Sequence, residues 1–418
     1  MKTILHIDGD SFFASVEASL DPSLIGKPVV TGQERGIATA MSKEAKALGV
    51  SRGMPVFQIR KAFPEVVIIP SDYHNYRIFA HRMYNIVRRY TPVVEEYSID
   101  ECFADLTGLE GPILPLAEEL KATLQSELGM TFSLGIGPTK VLAKVASKWQ
   151  KPDGLTVIDP DRIREFLKDL SISKIWGIGP QTTREIQSKG INTALEFIDR
   201  PEEWIKENFA RPVVEIWREL RGEMTHRVNV HAGEDIQSSI QQTRTFTPPT
   251  TDKQRLLNEL SKNVEGACAK ARAQHVSARR IYYFLKTQEF RYRRKEIVLV
   301  NPLSNPSDIL KEIIRTFDDV YVPEIPYRAT GVTLAGLLDD SHIQTDLFGA
   351  STQVDKWLEV FKVADRVDQR YGSNTIILGS SLPVGKNKNL RGSGQKRDPR
   401  ALKHFRKRFN IPYMGEVS

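Results

Sequence analysis

Two short acidic motifs, far apart in the chain, constrain the fold more than any other feature of this sequence. An apolar run at residues 4–7 predicts a short buried strand that ends at Asp8, after which a helical pattern begins. Alternating residues at 97–105 predict another strand, in which Asp100 stands beside Glu101. Neighbouring side chains on a flat strand point to opposite faces. Both acids therefore reach one site only if the backbone bends between them, as at the tip of a hairpin.

These acids indicate what a shared site could do. Carboxylates held close together raise one another's pKa unless a hard cation lies among them. Mg²⁺ typically takes one or two carboxylates and completes its shell with substrate phosphates. Two such ions, about 4 Å apart, bind the attacking and leaving oxygens of a phosphoryl transfer. Each motif alone also fits a plain strand end or a solvated turn, so the metal site is predicted from the two together.

Composition bounds the class of protein. At 418 residues the chain is long enough for about three domains, and 40% hydrophobic with 27% charged residues is typical of globular proteins. No apolar run reaches the roughly 20 residues that cross a bilayer, and no signal-peptide pattern is visible. We therefore expect a cytoplasmic protein that uses no membrane. The cysteines, Cys102 and Cys268, indicate neither a disulfide framework nor a zinc site. A net charge of +7 favours an acidic partner such as nucleic acid.

Alternating strand and helix patterns over residues 1–165 predict an α+β layer with the acids along one edge. Towards the end of this region a helical pattern carries Lys140, Lys144 and Lys148, and the turn after it holds Lys151. We interpret this layer as the catalytic domain.

A second group of lysines lies earlier in the same region. Residues 36–50 predict a strand that passes into a helix carrying Lys43 and Lys46, which are three apart and therefore share a face. The pair suits a triphosphate, and it suits a solvated helix face equally well.

A glycine turn lies between two short helical patterns in residues 172–197. Gly177 and Gly179 let the backbone approach a ligand closely, and the N–H groups that open the next helix suit a phosphate. The arrangement is typical of a helix-hairpin-helix, which grips a nucleic-acid backbone without reading its sequence. A helical turn that binds nothing would use glycine in the same way.

After a linker at residues 233–235, the pattern over residues 236–337 predicts a four-stranded sheet backed by two helices. Its strands are rich in basic residues interleaved with aromatic ones. We expect a basic face that lies along phosphates, with an affinity that falls as salt rises. The basic residues are Arg279, Arg280, Lys286, Arg291, Arg293, Arg294 and Lys295.

A short linear motif follows this domain. Gln344, Leu347 and Phe348 provide one polar and two apolar anchors of the kind that docks into a partner's pocket. A helical pattern spans residues 354–367, and residues 371–382 predict a short strand. From residue 386 onward the chain is rich in Gly, Lys and Arg, which predicts a loose basic tail.

Taken in order, these segments resemble the Y-family translesion DNA polymerases, most closely the DNA polymerase IV (DinB) type. The segments are HIDGDSFFASVE, YSIDECFADLTG, GIGPTKVLAKVASKWQKPDG, the GIG turn and QTDLF, and the likeness extends to about residue 382. The resemblance implies a multidomain α+β fold shaped like a right hand. Its parts would be a palm at residues 1–10 and 74–165, fingers at 11–73, a helical thumb at 166–232, a four-stranded little finger at 236–338, and a clamp-binding motif with a basic tail at 339–418.

The resemblance also implies roles for individual residues. Asp8, Asp100 and Glu101 would be the catalytic ligands of two Mg²⁺ ions, with the Gly9 carbonyl helping at the nucleotide-bound ion. Phe13 would be the steric gate, because an aromatic ring beneath the sugar leaves no room for a 2′-hydroxyl. Phe12, Lys43, Lys46 and Lys151 would complete the nucleotide site. Gly177, Gly179, Arg279, Arg291, Arg293 and Arg294 would contact DNA, and Gln344, Leu347 and Phe348 would bind a sliding clamp.

The fingers depart from the DinB pattern. Lys43 and Lys46 stand where that type usually has a tyrosine and an arginine on the triphosphate, and Ala40 replaces a common threonine. Residues 44–50 look more like the UmuC branch. Lysine is a point charge without the bidentate fork of arginine, so these contacts differ in kind from those of the family.

The sequence as a whole predicts a low-fidelity translesion DNA polymerase that acts in damage tolerance. It would work as a monomer on primer–template DNA with deoxynucleoside triphosphates, two Mg²⁺ ions and a sliding clamp. Two alternatives remain. A non-catalytic relative that only scaffolds DNA and clamp would have lost the three acids, and a nucleotidyl cyclase would have no use for the basic four-stranded domain.

Overall fold

The computed structural model describes residues 2–230, 238–340, 350–371 and 375–381, apart from the side chains of residues 350–359 and 369. The chain divides into two compact units between Glu234 and Asp235, where the sequence predicts a linker. The predicted clamp motif with Gln344, Leu347 and Phe348 lies outside the described residues, and so does the predicted basic tail. Within the described part, no helix has the length and apolar character needed to cross a bilayer.

The first unit is built from two sheets and the helices around them. Its strands are β1 (Ile4–Gly9), β2 (Val29–Thr31), β3 (Ala40–Met41), β4 (Val67–Ile69), β5 (Val94–Ser98), β6 (Glu101–Asp105), β7 (Phe132–Gly137) and β8 (Leu155–Val157). Its helices are α1 (Phe12–Leu20), α2 (Lys43–Ala47), α3 (Val56–Ala62), α4 (Tyr73–Arg88), α5 (Ile113–Leu128), α6 (Lys140–Trp149), α7 (Ile163–Leu167), α8 (Pro180–Ser188), α9 (Ala194–Ile198), α10 (Glu202–Asn208) and α11 (Arg211–Leu220).

The larger sheet has the order β5-β6-β1-β7-β8, with β1 in the middle and antiparallel to both neighbours. Leu5 and Ile7 belong to a core shared with α1, α4 and α5, whereas Ile4 packs with Ala143 of α6 on the other face. Both faces of β1 are therefore covered, which explains why apolar residues point to both sides of the strand instead of alternating with exposed polar ones. A strand buried in this way holds Asp8 at its end in a fixed position.

Helix α6 lies unusually close to β7. A Cβ atom at Gly135 would stand 2.0 Å from Ser147 N, so only glycine lets the helix backbone rest on the strand here. This close packing places the lysines of α6 near the acidic edge of the sheet.

Two further cores complete the first unit. Helices α6 to α11 enclose one of them, and the smaller sheet, of order β3-β2-β4, encloses the other with α2 and α3. The predicted helical pattern before Gly177 folds only as a 3₁₀ turn at Ile172–Lys174, and α8 follows the glycine turn as predicted.

A buried carboxylate joins α11 to α6. Glu219 is fully buried, and it accepts hydrogen bonds from Val141 N at 3.1 Å and from His226 N at 2.9 Å. It also accepts from Thr225 N and Thr225 Oγ1, at 3.1 and 3.2 Å. The Glu219 side chain thus links both the first turn of α6 and the segment that follows α11 to α11 itself.

The second unit has the predicted order of elements. These are β9 (Ser239–Thr250), α12 (Lys253–Ala273), β10 (Val276–Thr287), β11 (Tyr292–Leu303), α13 (Pro306–Thr316) and β12 (Tyr327–Asp339). The antiparallel sheet has the order β11-β10-β12-β9, and α12 and α13 share a core with one of its faces. The predicted four-stranded domain is confirmed.

The chain continues into α14 (Ala350–Tyr371), which confirms the predicted helix. Asp365 on α14 forms a bidentate ion pair at 2.8 Å with Arg272 at the end of α12. The predicted strand in residues 371–382 is wrong for the part that the structure describes, because residues 375–381 end in a 3₁₀ turn at Gly379–Ser381.

Candidate active site

The two acidic motifs meet at one edge of the larger sheet. Strands β5 and β6 form an antiparallel hairpin with Asp100 in its turn and Glu101 as the first residue of β6. Glu101 lies directly opposite Asp8 in the pairing of β1 with β6, and Gly9 N donates a 2.9 Å hydrogen bond to Asp100 O. The bend predicted between the two acids is confirmed.

A cavity of about 530 Å³ opens beside these acids. It is lined by Asp8, Gly9, Ser11, Phe12, Phe13, Ala40, Met41, Lys46, Val50, Ser51, Arg52, Asp100, Glu101 and Lys151. Most of the residues that the sequence assigns to catalysis and nucleotide binding therefore share one cavity. Lys43 is the exception, since it is not among the lining residues and its side chain is 79% exposed, 4.0 Å from Glu44.

Asp8 is an acid of this edge whose pKa is raised. Its burial raises its pKa from 3.8 to about 6, and Glu101 and Asp100 act in the same direction. The Lys151 ammonium, 2.5 Å from Asp8 Oδ1, opposes that rise. A cation beside Asp8 thus makes the ionised form of this buried carboxylate less unfavourable.

Glu101 has the opposite character. Burial alone would raise its pKa, but contacts with His6 and Lys144 hold the pKa at about 2. Lys144 Nζ is the closer partner, 2.6 Å from Glu101 Oε2, whereas His6 Nε2 is 3.7 Å away and beyond hydrogen-bond distance. Complete burial lowers the pKa of His6 to about 4, and its Nδ1 lies 2.7 Å from Ser147 Oγ. A neutral histidine and a charged lysine therefore flank this carboxylate.

The chemistry of the donor set fits divalent cations. Three carboxylates line the cavity, and two of them already hold an ammonium group, Asp8 with Lys151 and Glu101 with Lys144. In the described part of the chain, no three acidic, histidine or cysteine side chains converge on one point. A Mg²⁺ ion that takes one or two carboxylates and substrate phosphates needs no such cluster.

Phe13, on α1, also lines the cavity. Its ring stacks on Tyr76 with the centroids 4.2 Å apart and the planes 11° from parallel. Tyr76 is fully buried, and its hydroxyl donates a 2.7 Å hydrogen bond to Glu17 Oε1. Phe12 also lines the cavity, but most of its side chain is buried in the core. Stacking on the buried Tyr76 therefore limits the movement of the Phe13 ring.

The sequence did not assign a role to every residue of the site. Asp10 is buried and accepts hydrogen bonds from Ser133 Oγ and Asp153 N, both at 2.8 Å, so it holds the turn that carries Lys151. Arg52 lines the cavity from a loop whose sequence has no periodic pattern. Lys144 was visible only as one of several lysines on a helix, because its pairing with Glu101 depends on tertiary contacts.

The predicted DNA-contacting glycines lie at the start of α8. Gly177 has a positive φ of 88°, and a Cβ there would stand 2.6 Å from Ile216 Cδ1. Gly179 is the residue that precedes the first turn of α8. The turn thus needs glycine at Gly177 for its backbone conformation, whereas Ile216 Cδ1 is the end of a flexible side chain that can move aside.

The basic residues of the second unit do not all share one face, contrary to the expectation from sequence. Arg294 pairs with Phe284, whereas Arg293 pairs with Leu285, which is buried against the helices. Arg293 accordingly donates a 2.7 Å hydrogen bond to Val320 O. Because side chains alternate along a strand, adjacent arginines must point to opposite faces. Arg294 is on the face away from the helices.

The other predicted arginines have simpler surroundings. Arg279 is exposed at an irregularity in the pairing of β10 with β11. Arg291 is 83% exposed, next to Glu289 in the hairpin turn.

Models of the impB/mucB/samB family match the chain in three places. They are residues 7–148 for the family itself, 160–191 for the IMS family HHH motif and 237–347 for the family's C-terminal domain. DNA polymerase IV 1 of Bacillus subtilis is 30% identical over 390 residues, which are 91% of this chain and 93% of that protein. The chain belongs to the impB/mucB/samB family. DNA polymerase IV of Moorella thermoacetica is 33% identical over 388 residues, 91% of this chain and 96% of that protein.

Solved structures show the same fold. A Y-family DNA polymerase chimera of Dbh and Dpo4 has a TM-score of 0.67 at 23% identity, over 81% of this chain and 99% of that one. An insertion ternary complex of Dbh DNA polymerase has a TM-score of 0.51 at 24% identity, with the same coverage. The right-hand α+β fold with palm, fingers, thumb and little finger is confirmed. The resemblance to the Y-family DNA polymerases of the DNA polymerase IV type is confirmed as well.

Proposed function

We propose that this member of the impB/mucB/samB family is a template-directed, low-fidelity translesion DNA polymerase. It adds deoxynucleotides to a primer 3′-hydroxyl and acts in the tolerance of DNA damage. Family membership supports the enzyme class, a DNA-directed DNA polymerase. The observation that carries the proposal is the pairing of Asp8 with Glu101 beside Asp100, in one cavity with Lys151 and Phe13.

The acids would hold two Mg²⁺ ions, with the Gly9 carbonyl at the nucleotide-bound ion. When bound, such ions stabilise charge on the attacking and leaving oxygens of an in-line displacement. Lys151 is 30% exposed and contacts Asp8, so it is free to turn towards a triphosphate once a cation neutralises that acid. Lys46 and Arg52 line the same cavity and add positive charge for the phosphates.

Phe13 would select the sugar. Its ring has little freedom to move because it stacks on the buried Tyr76. A 2′-hydroxyl on the sugar would meet this ring, so deoxynucleotides are favoured.

The boundaries of the palm, fingers, thumb and little finger, as predicted from the sequence, belong to this proposal. DNA would be held by the glycine turn before α8 and by the exposed Arg279, Arg291 and Arg294. Arg293 is less suited, since it bonds Val320 O. Docking of Gln344, Leu347 and Phe348 onto a sliding clamp, action as a monomer and a cytoplasmic location remain predictions from the sequence.

Primer extension by Glu101→Gln tests the catalytic assignment. We expect the variant to lose extension with Mg²⁺ on an undamaged template and on one with an abasic site. Glu96→Gln is the matched control, because Glu96 is on the neighbouring strand and pairs with Arg88 instead of lining the cavity. Extension by Glu101→Gln at the wild-type rate would favour the non-catalytic scaffold.

Sugar discrimination tests Phe13 separately. Phe13→Ala should incorporate ribonucleotides that the wild type rejects, while Phe57→Ala, which removes a 70% exposed ring on α3, should not. The measurement is kcat/KM for a ribonucleotide relative to its deoxy form. An unchanged ratio in Phe13→Ala would remove the steric-gate role.

A further inference from the structure

Lys144 contacts the catalytic edge from behind the cavity. Its ammonium is 2.6 Å from Glu101 Oε2, although Lys144 is not among the residues that line the cavity. Only 6% of its side chain is exposed. A buried charged group needs hydrogen-bond and charge partners, so the protein groups around this ammonium set its position.

Two aromatic rings from different parts of the first unit enclose this ammonium. Lys144 Nζ lies 4.5 Å from the ring centroid of Tyr97 and 5.0 Å from that of Trp176. The rings also contact each other, since Trp176 Nε1 donates a 3.0 Å hydrogen bond to Tyr97 Oη and the planes cross at 86°. Both ring faces attract the Lys144 ammonium electrostatically, and Glu101 accepts its hydrogen bond.

Trp176 connects this cluster to the glycine turn. It directly precedes Gly177, whose positive φ fixes the direction of the chain into α8. A shift of this turn would therefore displace the indole ring of Trp176. The ring contacts the Lys144 ammonium, which is the hydrogen-bond donor to Glu101, so the Glu101 carboxylate would be displaced as well.

We propose that Lys144 is a positioning residue through which the glycine turn of the thumb controls the orientation of Glu101. The inference rests on the proposed function of Glu101 as a metal ligand. It assigns to Trp176 an effect on metal binding, although Trp176 touches no metal ligand itself. Coupling of two sites is reciprocal, so metal bound at Glu101 must also alter the surroundings of Trp176.

Mg²⁺ binding without DNA or nucleotide tests the coupling. By calorimetry, Trp176→Leu should weaken Mg²⁺ binding about fivefold, at the low end of the usual range for coupled sites. Trp176→Phe keeps an aromatic face and should retain the wild-type affinity. Trp149→Leu is the matched control, because Trp149 also joins α6 to the thumb core, through Phe166, but does not contact Lys144. Equal affinities in Trp176→Leu and the wild type, or equal losses in both leucine variants, would overturn the proposal.

Fluorescence gives a second measurement that does not depend on the stability of a leucine variant. The emission of wild type minus Trp176→Phe isolates Trp176, and this difference should change with Mg²⁺ at the midpoint found by calorimetry. Lys144→Met should abolish the change although the indole remains. A difference spectrum that Mg²⁺ leaves unaltered would overturn the proposal. Extension by the wild type, and its loss in Glu101→Gln, would still stand as evidence for the proposed function.

Discussion

Glu219→Gln should destabilise the first unit by about 3 kcal/mol. Hydrogen bonds to a charged acceptor contribute about 1.5–3 kcal/mol each, and this buried carboxylate accepts from Val141 N, Thr225 and His226 N. Glutamine keeps one oxygen for the donors of Thr225 and His226. Its amide group, however, faces the N–H of Val141, so one bond is lost outright and the others lose their charge. The estimated loss of about 3 kcal/mol therefore combines the loss of one hydrogen bond to a charged acceptor with a smaller weakening of the remaining hydrogen bonds.

Urea unfolding followed by tryptophan fluorescence measures this change. The signal reports chiefly the first unit, which contains Trp149, Trp176, Trp204 and Trp217 of the 5 tryptophans. The free energy of unfolding follows from the midpoint and slope of the transition.

Glu215→Gln is the control on the same helix. Glu215 forms a 2.7 Å surface pair with Arg211, and pairs of this kind contribute little, so its midpoint should stay at the wild-type value. If Glu219→Gln and Glu215→Gln unfold at the same urea concentration, the reasoning about the buried carboxylate is refuted.

Three further outcomes follow from the site and from the proposed DNA contacts. Because burial raises the pKa of Asp8 from 3.8 to about 6, the folded protein loses stability as the pH rises through that range. In EDTA, Asp8→Asn should then be more stable than the wild type at pH 8, by up to roughly 3 kcal/mol, and equal at pH 3.5; urea midpoints at both pH values decide this. Arg294→Ala should weaken DNA binding and lower its salt slope by about 1, whereas Arg293→Ala should keep the slope, as fluorescence anisotropy at several salt concentrations can check. Gly177→Ala should weaken DNA binding several-fold, because alanine is strained at the positive φ of 88° that this turn requires; full affinity for primer–template in the same assay would contradict this.

The strand ends and the hairpin were predictable because they depend on local patterns. The apolar run before Asp8 and the alternation around Asp100 encode a buried strand and a bend, and the pairing of β1 with β6 brings them together. The four-stranded domain was predictable for the same reason, since its strands and helices each carry a clear period. Only the ends of these elements moved by a few residues.

Contacts between distant segments were not predictable. Nothing local distinguishes Lys144, which bonds Glu101, from Lys43, which is exposed on α2. Arg293 was assigned to the basic face by its residue type, although the alternation of β11 places it against Val320. The short strand predicted in residues 371–382 is wrong for the part that the structure describes, because a brief apolar run by itself carries little information about secondary structure.

The close approach of α6 to β7 at Gly135 has a consequence for how this enzyme can change over evolutionary time. The backbones of α6 and β7 are in direct contact at Gly135. The position of Lys144 relative to the acidic edge therefore depends on the absence of a Cβ atom at this residue. A methyl group added there would push the helix outward together with its ammonium group. The position of this ammonium group beside Glu101 thus depends on a residue with no chemical function of its own, and a substitution at Gly135 is expected to lower polymerase activity although every residue proposed to bind DNA or nucleotide stays the same.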